Sequence, residues 1–217
     1  MTIDAVSPRR ISHPVFARCY TLLSAVTEAA GASAHRDELL AGLRGEVIEV
    51  GPGNGRNFAH YPPEVTGVLA VEPEPYLRRM AARAASEAQI PVRVVEGDAD
   101  RLPAADQRFD AGVASLVLCS VPHPERSLSE LFRVVRPGGQ LRFYEHVRAE
   151  DGRHARLQDW VDHLWPRVAG GCHTGRDTVA AIEAAGFVVE RERRFFFQPS
   201  VLAKPVAPHV IGIARRP

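Results

Sequence analysis

The sequence predicts a single α/β domain built on a doubly wound, mostly parallel sheet. Three observations carry that prediction. Short, nearly continuous apolar runs recur at 47–50, 65–71, 91–95, 109–121 and 140–144, and such runs suit strands buried on both faces. Helical patterns separate most of them, so strand and helix alternate as parallel crossovers require. The first run then passes into Gly51-Pro52-Gly53-Asn54-Gly55, a glycine-rich turn that lets a ligand approach the backbone.

Composition bounds the class. At 217 residues the chain can form one domain with a full core, and 45% hydrophobic and 24% charged residues are ordinary for a globular protein. A formal net charge of +1 gives no global reason to expect nucleic acid. Three widely spaced cysteines, Cys19, Cys119 and Cys172, argue against a disulfide framework and for the reducing cytoplasm. No zinc-type Cys/His spacing occurs, so no metal is expected. Residues 1–10 are polar and include Pro8, unlike a secretory signal. The longest apolar stretch, 111–121, falls short of the roughly 20 residues that a membrane-spanning helix needs. The expectation is a cytoplasmic enzyme with no integral membrane segment.

In order, residues 1–12 read as a loose arm. Val15, Cys19, Leu22, Leu23, Val26 and Ala30 recur at helical spacing, and Gly31 is a plausible stop. A second short helix over 34–41 completes an N-terminal helical cap, 1–44, on a core of 45–217. The first strand and glycine turn follow, with an expected helix start near Gly55. Strand 65–71 ends at Glu72, helix 76–87 is rich in Ala and Arg, and strand 91–95 leads to Gly97-Asp98-Ala99. Strand 109–121 is followed by helix 124–135, the turn Arg136-Pro137-Gly138-Gly139, and strand 140–144. Helices over 153–168 and 175–185, then strands 187–197 and 206–214, finish the chain. With no helix between them, those last two strands predict an antiparallel finish.

Ligands of such sheets bind beyond the carboxyl ends of the strands. Glu49 to Asn57, Glu72, Asp98–Ala99 and 116–120 all lie there. A dinucleotide fingerprint would place its third glycine where Arg56 stands, and a phosphate-cradling P-loop would need Gly-Lys-Ser/Thr. The carboxylate of Glu49 would repel pyrophosphate and suit a cationic ligand such as S-adenosylmethionine. Glu72 can accept hydrogen bonds from ribose hydroxyls, Asp98 from an adenine amine, and the Ala99 N–H can serve a ring nitrogen. A nicotinamide oxidoreductase and a non-catalytic cofactor-binding regulator stay open as rivals.

The ordered set Glu49-Val50-Gly51-Pro52-Gly53-Asn54-Gly55, Glu72, Gly97-Asp98-Ala99 and Arg136-Pro137-Gly138-Gly139 resembles the class I S-adenosylmethionine-dependent methyltransferases. More narrowly, the chain is similar to thiol S-methyltransferases of the methyltransferase-like 7 type. That likeness is carried by Tyr61-Pro62-Pro63, 116–121, Glu145-His146-Val147, Gly171-Cys172-His173-Thr174-Gly175-Arg176 and 207–212. The resemblance implies a seven-stranded Rossmann-like methyltransferase sheet with an antiparallel seventh strand and an N-terminal helical lid. It implies S-adenosylmethionine as cofactor, with Glu49, Gly51, Pro52, Gly53, Gly55, Asn57, Glu72, Pro73, Asp98, Ala99 and Leu116 at its site. The acceptor would be a small, apolar molecule, a thiol first, with quinols, phenols and lipids as alternatives.

A thiol with a pKa of about 8.5 needs little help to ionise, so a strong base is not required. His146, after the fifth strand, is the candidate base, with a structural histidine as the plain alternative. Tyr20 could lie over the cofactor or simply bound the core. Cys172 and His173 could border the acceptor, whereas Cys119 reads as a packed small residue. Trp160, Trp165 and Phe195, Phe196 and Phe197 are candidates for an apolar pocket, of which one or two are expected to line it.

Overall fold

The computed structural model describes residues 14–217, and the loose arm expected at 1–12 lies outside the described residues. The chain begins with α1 (Pro14–Thr27), a wider turn over Glu28–Ala32, and α2 (Ser33–Leu40). Gly31, at φ 107°, kinks the chain between them, as expected of a stop. The apolar stripe of α1 does not pack into the core: Leu22, Leu23 and Val26 are all more than half exposed.

Seven strands follow: β1 (Gly45–Val50), β2 (Val65–Val71), β3 (Val92–Val95), β4 (Phe109–Ser115), β5 (Val135–His146), β6 (Val188–Phe196) and β7 (Pro208–Arg215). They form one sheet in the order β3-β2-β1-β4-β5-β7-β6. The first five pair in parallel, and β7 inserts antiparallel between β5 and β6. The expected mostly parallel, doubly wound sheet with an antiparallel seventh strand is therefore present. The order reverses between β1 and β4, which puts the ligand-binding crevice at their carboxyl ends.

Side chains alternate along each strand, so successive residues serve opposite faces. Ile48, Val50, Leu69 and Val71 pack against Leu128 and Leu131 of α4 (Pro124–Val134) and Ile182 of α7 (Thr178–Ala184). Val47, Val68 and Ala70 face the other way, toward Leu39 and Leu40 of α2 and Ala81 of α3 (Pro75–Glu87). Glu74 caps α3 by accepting from Leu77 N, with Pro75 in its first turn.

Several boundaries differ from the sequence reading. After Gly55 there is no α-helix but one tight turn, Arg56–His60, because Tyr61-Pro62-Pro63 stops it. β4 ends at Ser115 rather than at 121, since Leu116 turns into the left-handed region at φ 56°. β5 begins at Val135, with residues 136–139 looping out between the pairs Phe109↔Val135 and Ala111↔Gln140. The helix expected over 153–168 divides into α5 (Gly152–Val161) and α6 (Trp165–Val168), and that over 175–185 shortens to α7. Asp177, capping Ala180 N, sets the start of α7.

Candidate active site

A cavity of about 570 Å³ opens at the sheet's switch point. Its walls include Gly51 and Gly53 after β1, Glu72 and Pro73 after β2, Asp98 and Ala99 after β3, and Leu116 after β4. Gly51 holds φ 59°, and a Cβ there would lie 2.4 Å from Val117 Cγ2, so only glycine lets the turn pass β4. The Gly53 N–H donates to Glu72 Oε2 at 3.0 Å, and Glu74 N donates to Glu72 Oε1 at 2.9 Å. Each Glu72 oxygen keeps a lone pair for a ligand hydroxyl. Burial pushes the Glu72 carboxyl up to about 7, against the two N–H groups that favour its charged form. Asp98 Oδ1 accepts from Asp100 N at 3.0 Å. Ser115 Oγ is buried with no partner and belongs to the same wall.

The remaining candidates from the glycine turn stand behind this wall. Glu49 points to the α2 side of the sheet, as strand alternation dictates, and is fully buried. Its oxygens accept from Tyr61 Oη at 2.9 Å and Asn57 Nδ2 at 2.7 Å. Burial raises its carboxyl to about 7. Asn57 Oδ1 in turn accepts from Arg36 Nη1 at 2.6 Å, and Arg36 Nε reaches Glu28 Oε1 at 2.8 Å. Glu49 and Asn57 thus latch the glycine turn to the helical cap, one layer behind the residues that line the cavity. Gly55 (φ 82°) packs against Ala84 and Phe58, where a Cβ would lie within 3.0 Å of both. Pro52 does not line the cavity either; its carbonyl accepts from Gly55 N.

A second, smaller cavity of about 210 Å³ adjoins the first, sharing Phe16, Tyr20, Leu116 and Ser120 as common wall. Its lining is mostly apolar, with Leu23, Val26, Trp165, Phe197 and Val206, and includes His146, Cys172 and His209. Tyr20 stands on α1 four residues after Phe16, its ring against Gly53. Of the aromatic candidates, Trp165 and Phe197 line this cavity. Trp160 is 77% exposed and Phe196 66%, while Phe195 stacks on Tyr144 and His209.

One corner of the second cavity was not visible in sequence spacing. Cys119, His146 and Cys172 come from three separate segments, yet both sulfurs lie within 3.5 Å of His146 Nδ1 and 3.8 Å from each other. Contact between the thiols raises Cys119, which burial raises further, and lowers Cys172. Burial pulls His146 down, but Cys172 beside it carries the balance upward. Cys119 is packed, as expected, but packed against two reactive groups. His173 is turned away, paired with Asp162 at 2.7 Å.

Sequence reasoning also missed Glu145. It is fully buried and accepts from the N–H groups of Val117, Leu118 and Cys119 at 2.9–3.1 Å. It thereby holds the turn after β4 that supplies Leu116 to both cavities. Only its place beside His146 in the family-like segment marked it in the sequence.

The first cavity fits S-adenosylmethionine. Among the described residues lining it there is no lysine or arginine to meet a phosphate, while Glu72, Glu74, Asp98 and Asp100 supply carboxylates for a cation. The partnerless Ser115 hydroxyl and the spare lone pairs of Glu72 offer sites for polar groups of a nucleoside. Fold and site together define a class I S-adenosylmethionine-dependent methyltransferase. A methyltransferase-domain family profile matches residues 48–143. The chain is 36% identical over 182 residues to thiol S-methyltransferase TMT1B of Rattus norvegicus, covering 81% of this chain and 73% of that protein. It is 34% identical over 172 residues to thiol S-methyltransferase TMT1A of Homo sapiens, covering 77% and 69%. A solved S-adenosylmethionine-dependent methyltransferase from Thermotoga maritima shares the fold at a TM-score of 0.70 and 23% identity, over 93% of this chain and 97% of that one. The chain belongs to the thiol S-methyltransferase family. Among the described residues, no helix is long and apolar enough to cross a membrane.

Proposed function

We propose that this protein transfers a methyl group from S-adenosylmethionine to the sulfur of a small, apolar thiol. The observation that carries this reading is the pair of adjoining cavities, one carboxylate-lined and one mostly apolar, separated by Tyr20 and Leu116. Gly51, Gly53, Glu72, Pro73, Asp98, Ala99 and Leu116 hold the donor, and Glu49, Pro52, Gly55 and Asn57 hold the turn in shape. When bound, the donor supplies an electrophilic methyl on a sulfonium sulfur. Glu72 takes its ribose hydroxyls, and Asp98 and Ala99 the adenine.

Leu116, held at φ 56°, sets the partition that lines up the two ligands. Such alignment can contribute about 7–11 kcal/mol to lowering the barrier. Phe16 and Tyr20 close the junction against water, and Trp165 and Phe197 take the acceptor's apolar body. His146, at the wall of the acceptor cavity, is the group placed to help the acceptor's sulfur become a thiolate. The apolar lining supports a small molecule rather than nucleic acid as acceptor. Three free cysteines, two of them in contact, suit the reducing cytoplasm.

Titration calorimetry should show S-adenosylhomocysteine binding and no NAD binding. Labelled donor offered with alkyl thiols, hydrogen sulfide, phenols, quinols and amines should methylate the thiols first. Binding of NAD alone would remove the methyltransferase reading, and methylation confined to phenols, quinols or amines would remove the thiol.

A further inference from the structure

The sulfurs and nitrogen of Cys119, Cys172 and His146 form a triangle with edges of 3.8, 3.5 and 3.4 Å. With Zn–S of about 2.3 Å and Zn–N of about 2.05 Å, a tetrahedral site has S···S edges of about 3.8 Å and S···N edges of about 3.5 Å. The triangle therefore has the dimensions of one face of a zinc tetrahedron. A disulfide would need the sulfurs to close to about 2.05 Å, and it would leave His146 Nδ1 without a role.

The scaffold under the three groups is independent of any metal. Cys119 N donates to Glu145, His173 N donates to the Cys119 carbonyl at 2.8 Å, and His146 ends β5 paired with His209 of β7. His146 and Cys172 line the acceptor cavity, whereas Cys119 is fully buried behind them. Three protein ligands with a fourth position open to substrate is the pattern of catalytic rather than structural zinc.

We propose that Cys119, His146 and Cys172 bind a zinc-class divalent cation whose open fourth position takes the acceptor's sulfur. This deepens the thiol reading and rests on it. The arriving thiol gives its proton to a metal-bound hydroxide, which leaves as water, and its sulfur binds the metal as thiolate. That sulfur then attacks the donor's methyl carbon. The carbon–sulfonium bond breaks with its electron pair going to the departing thioether sulfur, the methylated product leaves the metal to water, and that water loses a proton to solvent to restore the hydroxide.

The test uses the full chain, reduced, made metal-free, and reloaded with Zn2+ or Co2+. One Zn2+ per chain is expected, and Co2+ should show thiolate-to-metal charge transfer with tetrahedral ligand-field bands. Cys119→Ser, Cys172→Ser and His146→Ala should each lose that signature while keeping S-adenosylhomocysteine affinity, the check that they fold. Cys19→Ser, on the exposed side of α1, should keep it. Adding an alkyl thiol should shift the charge-transfer band, and removing metal should lower thiol methylation at least about tenfold, restored by Zn2+.

Substoichiometric metal, a Cys119–Cys172 disulfide that persists in excess reductant, or a cobalt spectrum unchanged in the variants would overturn the site. A band that ignores thiols, or full thiol methylation without metal, would overturn the role given to the fourth position. One metal per chain with methylation confined to phenols or amines would uphold the site and remove the thiol reading.

Discussion

At the scale of single residues, Glu72 is the carboxylate that we propose for the donor's ribose. Both oxygens already accept backbone N–H groups, so the side chain is fixed before a ligand arrives. Glu72→Ala should weaken donor binding by about 1.5–3 kcal/mol, the value of a hydrogen bond to a charged group, measured by calorimetry with S-adenosylhomocysteine. Its pH dependence has a definite sign. The carboxyl titrates at about 7 in the free protein, and ribose hydroxyls that donate to it favour the charged form. Donor affinity should therefore be full above about pH 7 and fall below it, with a proton released on binding. Calorimetry in buffers of different ionisation enthalpy reads that proton, and affinity independent of pH would place the ribose elsewhere.

At the scale of elements, two buried polar side chains position the acceptor wall. Glu145 gathers the three N–H groups of the turn after β4. Gln158, fully buried on α5, accepts from Ala149 N and donates to the carbonyls of Val147, Thr174 and Pro205. It ties α5 to the ends of β5 and the loop carrying Cys172. Gln158→Ala would leave these groups without their partner, and a loss of about 2–3 kcal/mol is expected in urea unfolding. Gln158→Glu should fare no better, because a carboxylate cannot donate to three carbonyls. The expected 153–168 helix divides into α5 and α6 for a tertiary reason. A helical pattern could not show that the chain must bend after Val161 to bring Trp165 to the cavity.

At the scale of the whole molecule, the helical cap and the sheet are joined by the buried chain Glu28–Arg36–Asn57–Glu49–Tyr61. Glu49 titrates at about 7 in the folded protein against an ordinary 4.5, so the folded state holds its proton more tightly. Its contribution to stability is full below about pH 4.5 and is lost as pH rises through about 7. The stability of the native protein relative to Glu49→Gln should therefore fall between about pH 5 and pH 8, read from urea midpoints. A constant difference would show that Glu49 is charged throughout.

The sequence alone determined the doubly wound sheet, the donor class and several of the residues that line the first cavity, since these rest on local patterns. Strand alternation, a glycine turn, and acids at strand ends are each written within a few neighbouring residues. The latching role of Glu49 and Asn57 was out of reach, because it depends on which side of the sheet Glu49 faces and on Arg36, 21 residues from Asn57. The acceptor corner was still less legible. Cys119, His146 and Cys172 lie 26, 27 and 53 residues apart, with none of the short spacings that mark a metal site. Only the pairing of β4 beside β5 and the return of the 170–173 loop across the carboxyl end of the sheet bring them into contact. Proximity between distant segments is set by tertiary packing, and for that reason only the structure could bring Cys119, His146 and Cys172 into one cluster.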